Sequence, residues 1–237
     1  MNFTFGIITV KGNEDRINII IDSIEKQNIN DYEVVVIGNV DVERKNTSVI
    51  EFDENVKSMW ITRKKNLITS HAKYDNIVYM HDYIKLDDSW YTGWKTFGED
   101  YYACMNVIEN YDGNRYRDWS LFPPFYDGVL DIGKEALIPY DIDTKHINKL
   151  MYFSGAYWVA KKEIMKQIPL DEQLVWGQGE DVKWSRMFSS RYDFSINSLS
   201  RVKIFKGVKD RAFDECTMET IEKIKKYKDC NNNKGIK

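Results

Sequence analysis

The chain has 237 residues, a formal net charge of −3, and 43% hydrophobic, 30% charged and 14% aromatic residues. That length suits one large domain whose core needs no disulfide or metal staples, and the mixing of acids with bases along the chain excludes the basic footprint of a nucleic-acid binder. The three cysteines, Cys104, Cys216 and Cys230, are too few and too widely spaced for a disulfide framework or a zinc site, and they fit a reducing compartment.

The first residues, MNFTFGIITVKGNEDR, lack a basic and apolar leader, and no apolar run is long enough to cross a bilayer, so a cytoplasmic location is expected. Residues 3–10 form an apolar, β-branched run that reads as a buried strand. Asn13 is a plausible N-cap, and Ile17, Ile20, Ile21 and Ile24 then recur at helical spacing. EVVVI, residues 33–37, is a second buried strand stopped by Gly38-Asn39, and residues 48–52 are a short third. Residues 62–71 read as a helix and residues 77–80 as a strand running into His81-Asp82-Tyr83. Asp87 or Asp88 can cap a helix that lasts through Phe97. Strands alternating with helices imply right-handed crossovers and a mostly parallel sheet, in which ligands bind at the carboxyl ends of the strands. On topology alone that makes Thr9, Val10, Lys11, Gly38, Asn39, Asp41, His81, Asp82 and Tyr83 site candidates.

The second half is less regular. Residues 101–108 read as a strand. Residues 110–149, polar and aromatic with Pro123-Pro124 and Pro139, read as long loops of the kind that bind ligands. A strand over 152–160 and a short helix over 161–167 follow. A helix over 179–190, a strand over 194–205 and a terminal helix over 218–228 complete the order.

Three segments carry chemistry. In WGQGEDVKW, residues 176–184, two glycines permit close backbone approach to a ligand and two acids open a helix. Trp176 can wall a sugar ring, and one of the acids can take a proton from an attacking hydroxyl. The same acids would also simply complement the helix dipole. In VYMHDYIKLDD, residues 78–88, an apolar strand ends in an acid, which suits either a divalent cation bridging two phosphates or a turn. In ITRKKNL, residues 61–67, three basic residues open a helix against its dipole, which suits an anionic partner such as a diphosphate or a solvated face. His71, His81 and His146 are isolated, and there is neither a P-loop nor a nucleophile elbow.

These segments, in this order, resemble family-2 glycosyltransferases and their GT-A relatives, including the β-1,4-galactosyltransferase-like group. FGIITVKGNEDRINIIIDSIEKQNINDYEVVVIGN is similar to the family's opening strand, helix and second strand. TRKKNLITSHAKYDNIVYMHDYI is similar to the stretch ending in the metal-binding DxD motif. YFSGAYWVAKKEI followed by VWGQGEDVKWSRM is similar to the acceptor-side block. The resemblance implies a single GT-A domain over residues 1–237: α/β, with a mostly parallel central sheet flanked by helices and a loop-rich acceptor half. Residues of about 1–100 would hold the nucleotide sugar, about 101–215 the acceptor, and 216–237 a terminal helix and tail.

Carried over by position, Thr9, Val10, Asn39, Lys65, Asn66, His81, Asp82, Tyr83 and Gly155 fall on the nucleotide-sugar side. Trp176, Gly179 and Glu180 fall on the acceptor side, and Asp181 on the general base. HDY stands in the DxD place, so Mn²⁺ or Mg²⁺ would rest on Asp82 and His81. VKIFKGVK offers lysines where a later metal-binding His is common, and Lys206 could instead neutralise a leaving diphosphate. The resemblance thus implies a hexosyltransferase-like enzyme that inverts the anomeric centre, taking a UDP-sugar by preference and a glycan or glycolipid acceptor, as in polysaccharide assembly. A non-catalytic carbohydrate- or nucleotide-binding protein on the same fold is the alternative. A sugar-nucleotide pyrophosphorylase would need a glycine-rich, Arg-containing loop where this chain has VKGNEDR. The lysines of IEKIKKYK suit an anionic membrane surface or a solvated helix.

Overall fold

A computed structural model describes residues 1–121, 136–142, 147–205, 214–223 and 226. The parallel half of the sheet is built from β1 (Phe3–Ile8), β2 (Tyr32–Ile37), β3 (Thr47–Ile50) and β4 (Asn76–His81). Every residue of β1 and β4 is buried, because both strands have neighbours on each side and their runs are apolar throughout. The crossovers are α1 (Glu14–Glu25) and α2 (Ile61–His71). Ile17, Ile20, Ile21 and Ile24 line the buried face of α1, as their spacing requires.

Register decides where the site lies. Ile8 pairs with both Ile37 and His81, so β1, β2 and β4 end at one level. Thr9, Gly38 and Asp82, which follow these residues, therefore share one sheet edge.

Beyond β4 the chain forms β5 (Ile84–Leu86), α3 (Trp90–Phe97), β6 (Ala103–Glu109) and β7 (Trp119–Leu121). Then come β8 (Ala136–Leu137), β9 (Met151–Phe153), β10 (Tyr157–Lys161), α4 (Lys162–Gln167), α5 (Glu180–Ser189) and β11 (Phe194–Ile204). The large sheet has the order β3-β2-β1-β4-β10-β6-β11-β5. It is parallel through β4, and β10 then runs antiparallel to both β4 and β6. A small antiparallel sheet has the order β8-β7-β9.

Two sequence expectations are revised. The single strand over 152–160 is two strands in different sheets, broken at Ser154-Gly155-Ala156. The stretch 110–149, read as loops, contains β7, β8 and a 3₁₀ turn at Asn148–Leu150. Strands this short carry no periodic signal. Distant partners hold them instead. Arg115 lies over the rings of Tyr140 (4.0 Å) and Trp119 (4.9 Å). It donates to the buried Asp118 at 2.7 Å and to the Ile138 carbonyl at 2.7 Å. The helix expected after Asp87 starts at Trp90, with Asp87 Oδ1 accepting from Ser89 N and Oγ. Within the expected terminal helix, residues 218–223 are helical. No helix among the described residues is long and apolar enough to cross a membrane.

The packing of α3 on β11 is a strict test of this arrangement. A Cβ at Gly93 would stand 2.4 Å from the Leu199 carbonyl oxygen and 2.4 Å from Ser200 Oγ. Main chain cannot step aside as a side-chain tip can. Gly93→Ala is expected to cost about 1–3 kcal/mol, read as a lower urea midpoint with an unchanged slope.

Candidate active site

The strand-end edge carries a hydrogen-bonded carboxylate rather than a free one. Asp82 Oδ2 accepts from Thr9 Oγ1 (2.8 Å) and Asn13 Nδ2 (2.8 Å), and Arg16 stands 3.6 Å from Oδ1. Asn13 occupies the N-cap position of α1, but its side chain caps nothing there and turns to Asp82. Asn13 and Arg16 are three residues apart, so both reach the same side of the helix. Thr9 is buried, whereas Val10 is half exposed. The Tyr83 ring packs 5.2 Å from the His81 ring. Asn39 makes a reciprocal pair with the Phe52 backbone, donating at 2.8 Å and accepting at 3.0 Å. Together with Lys11, Asp41 and Asp53 it lines an open groove of about 770 Å³.

The basic opening of α2 is directed into the protein. Arg63 pairs with Glu172 at 3.1 Å. Lys64 donates to the Thr9 carbonyl at 2.6 Å and contacts Glu54. Lys65 donates to the Gly155 carbonyl at 2.6 Å. Asn66 grips the loop of residues 170–178 at both backbone groups of Leu170: Nδ2 donates to its carbonyl at 2.9 Å, and Oδ1 accepts its N–H at 3.0 Å. Trp60 Nε1 and Lys57 Nζ donate to the Glu172 carbonyl, and Thr62 Oγ1 to that of Leu174. The solvated face considered for this cluster does not describe Lys64 and Lys65, which are buried, whereas Arg63 stays partly exposed beside Glu172. Thr62, Arg63 and Asn66 hold the loop that delivers the GED acids, while Lys64 and Lys65 are held by Thr9, Glu54 and Gly155.

That loop ends in Gly177 and Gly179, with φ of 81° and 71°, the left-handed region where glycine costs least. α5 begins directly after them. Its residues Asp181, Trp184, Ser185 and Phe188 follow the i, i+3, i+4, i+7 pattern of one face. Ser185 Oγ accepts from Phe153 N at 3.1 Å, Asp181 Oδ2 accepts from Gly155 N at 2.9 Å, and Trp184 stacks on Trp158 at 5.5 Å. The helix is thereby fixed across the break between β9 and β10. A Cβ on Gly155 would lie 3.2 Å from Asp181 Oδ2 and 3.2 Å from Glu180 Oε1, so both carboxylates crowd this one residue. Glu180 is buried, and burial followed by the Asp181 charge raises its pKa, with Lys65 and Arg117 opposing.

His81 is buried on the far side of the same residue. Burial first and the Lys65 charge second push its imidazole well below the usual range, against a hydrogen bond to the Gly155 backbone. Its Nε2 is buried without a hydrogen-bond partner. Trp176, 55% exposed, joins Val10, Met59, Trp60, Lys64 and His81 around a cavity of about 400 Å³. Its N–H donates to the Met59 carbonyl at 3.1 Å. The cavity spans from Val10 at the β1 end to Trp176; Gly179, Glu180 and Asp181 are not among its lining residues.

The expected divalent cation is a poor match to these groups. Among the described residues no three His, Cys, Asp or Glu side chains converge as a cage. Asp82 already accepts two hydrogen bonds and faces Arg16, while Lys64 and Lys65 bear on His81. Three cationic side chains surround the place where the cation would sit, and the donor set does not fit it. Lys206, the alternative charge, lies outside the described residues. Lys64 was singled out only as one of the ITRKKNL bases, Asn13 only as a cap, and Arg16 not at all. For Asn13 and Arg16 the signal is placement one and two turns beyond β1, visible only once β1 and β4 are known to be neighbours.

No protein-family model matches the chain, and no curated protein does. Solved structures do. GalNAc-T7 with UDP, GalNAc and Mn²⁺ superposes with a TM-score of 0.61 at 12% identity, over 88% of this chain and 44% of that one. TarS of S. aureus superposes at 0.53 and 13% identity, over 94% of this chain and 38% of that one. Its 1-349 fragment with UDP-GlcNAc gives 0.54 at 11% identity, over 90% and 62%. The chain thus spans about four-tenths to six-tenths of the length of these structures. At such identities the likeness is one of fold, and the fold is GT-A: a curled α/β sheet flanked by helices.

Asn66 is the simplest lever on the GED loop. Asn66→Ala leaves the buried Leu170 N–H without its acceptor, at a cost of about 1–3 kcal/mol. Hydrogen exchange should accelerate at Leu170 and through residues 170–178, while β1 and β4 stay protected.

Proposed function

We propose that the chain is an inverting glycosyltransferase that moves a sugar from a nucleoside-diphosphate sugar, UDP-sugar by preference, to a hydroxyl of a glycan or glycolipid acceptor. The observation that carries this reading is the Glu180–Asp181 pair, whose two carboxylates bear on Gly155 at the start of the helix that follows Trp176, the residue that lines one cavity with Val10 and His81. The GT-A fold and the UDP and UDP-GlcNAc of its structural neighbours support the donor class.

In this reading the nucleotide lies along the strand ends, near Thr9, Val10 and Asn39, and the acceptor sugar lies against Trp176 and Gly179. Glu180 holds an acceptor hydroxyl. Asp181 removes the proton of the attacking hydroxyl, and its oxygen forms a bond to the anomeric carbon from the face opposite the diphosphate. The bond from that carbon to the diphosphate oxygen breaks, and the electron pair leaves with the nucleotide. Arg16 and Lys64 are the described cations closest to where that charge develops, since both line the pocket at the β1 end with Asp82. No step is routed through a metal. Polysaccharide or glycolipid assembly at the cytoplasmic side of a membrane is the setting that suits such an enzyme.

One observation favours a binding protein without chemistry: the acid in the DxD place accepts from Thr9 and Asn13 at one oxygen and faces Arg16 at the other. Detectable donor hydrolysis or transfer removes that reading.

UDP, GDP, dTDP, CDP and CMP, each with Mn²⁺ or with EDTA, are the ligands to compare by thermal shift. A nucleotide at a hundred times its Kd adds about 2.7 kcal/mol, a rise on the order of 5–10 °C for a domain of this size. UDP is expected to give the rise in both conditions, and a rise confined to Mn²⁺ would return a cation to Asp82. Asp181→Asn is expected to lower kcat on the order of 10²–10⁴-fold with the UDP shift intact. Near-normal turnover would take Asp181 out of the base role.

A further inference from the structure

Lys65 has an environment that stability alone does not explain. Its side chain is fully enclosed at 1% exposure, and its ammonium meets the Gly155 carbonyl at 2.6 Å and the face of the Trp158 ring at 4.5 Å. A buried charge without a carboxylate in contact is costly, and an apolar side chain of similar length over an indole ring would fill the same space more cheaply. What the ammonium reaches is functional. The two backbone groups of Gly155 are held from opposite sides: the carbonyl by Lys65 on α2, and the N–H by Asp181 on α5. Glu180 and Asp181 are the two charges that favour the ammonium, against the burial that lowers its pKa to about 8.

The other charged groups around Lys65 are accounted for. From β4 comes His81, held neutral by burial and by Lys65 itself. From its own helix comes Lys64, turned to Thr9 and Glu54. Arg117, between β6 and β7, acts on Glu180 less strongly than Lys65 does.

We propose that Lys65 is a positioning residue for transfer, whose ammonium fixes the Gly155 turn against α5 and keeps Glu180 ionised beside Asp181. This rests on the glycosyl-transfer reading of the site. Lys65 is cationic below its midpoint and neutral above it. The Glu180 carboxyl is raised by burial and by the Asp181 charge, and the Lys65 ammonium opposes that shift. Both charges are present together only between the two midpoints, so turnover should fall at each end of that window.

The variants separate charge from shape. Lys65→Arg keeps a cation at all working pH, so it should retain the acid limb of kcat/KM and lose the alkaline limb. Lys65→Met should lose the alkaline limb and move the acid limb to higher pH, because Glu180 no longer has its strongest opposing charge. A merely structural lysine predicts profiles of unchanged shape, scaled down, and that result would overturn the proposal.

A second measurement does not depend on activity. Carbon-13 NMR of the labelled wild-type protein should show Lys65 Cε titrating near 8 and the Glu180 carboxyl responding at that same midpoint. In folded Lys65→Met, Glu180 should bind its proton more tightly than in the wild type. Lys65 titrating at its ordinary value near 10.4, or a Glu180 signal indifferent to Lys65, would sink the idea even if Lys65→Met does not fold. Coupled titration in a protein that transfers no sugar would overturn the reading of function and leave the coupling standing.

Discussion

Gly155 is the residue on which the site turns, because three elements from distant parts of the chain meet on its backbone. α2 reaches its carbonyl through Lys65, α5 reaches its N–H through Asp181, and β4 is joined to the next residue where His81 N donates to the Ala156 carbonyl at 3.1 Å. A side chain there would begin 3.2 Å from two carboxylate oxygens, close enough that the acids would have to shift. The absence of a Cβ is what lets the acids of α5 approach the ends of parallel strands that precede them by about a hundred residues. A break in the strand is also required there. If β9 and β10 were one continuous strand, both backbone groups of residue 155 would be engaged in a ladder and could not be offered to side chains.

Burying charge around such a point needs compensation at each step. Basic residues in the first turn of α2 oppose its dipole, yet Arg63, Lys64 and Lys65 all stand there. Each has its own acceptor: the Glu172 carboxylate, the Thr9 carbonyl with Glu54, and the Gly155 carbonyl. The helix that would repel a cation from its N-terminus is thus used to carry cations inward, toward the Glu180–Asp181 pair on one side and the β1 end on the other. The same contacts pin residues 170–178, so the position of the acids depends on how α2 is seated. If Asp181 is the base proposed above, rigidity matters here, because a displacement of about 1 Å can cost on the order of a hundredfold.

Much of this was legible in the sequence. The alternation of apolar runs and helical spacing gave the parallel half of the sheet, and strand-end logic placed Thr9, Asn39, His81 and Asp82 on its edge. WGQGEDVKW announced a glycine turn and an acid-tipped helix at the residues where both occur. What could not be read is whatever depends on long-range closure. β7 and β8 are three and two residues long and owe their form to Arg115, Trp119 and Tyr140 rather than to their own pattern. The split at Ser154-Gly155-Ala156 is invisible because the flanking residues on both sides are equally apolar. ITRKKNL looked like a surface for an anion because a sequence shows the charge of a side chain and not its direction.

Asp82 shows how far a motif position can drift in chemistry while keeping its place in the fold. The end of β4 must present something to the end of β1, since the two strands are hydrogen-bonded neighbours and their C-termini coincide. In this chain the Thr9 hydroxyl and the Asn13 amide both donate to Asp82 Oδ2, and Arg16 stands 3.6 Å from Oδ1. The acid then acts as a hub that ties β1, α1 and β4 together. In the proposed reading the positive charge that a diphosphate requires would come from side chains anchored to the same elements. Arg16 is fixed by Asp82, and Lys64 by the Thr9 carbonyl, so neither must be ordered when a ligand arrives. A pre-ordered pair of cations and a captured metal ion solve the same electrostatic problem. Their difference lies in what accompanies the nucleotide into the site, and the hydrogen bonds already made by Asp82 favour the side chains.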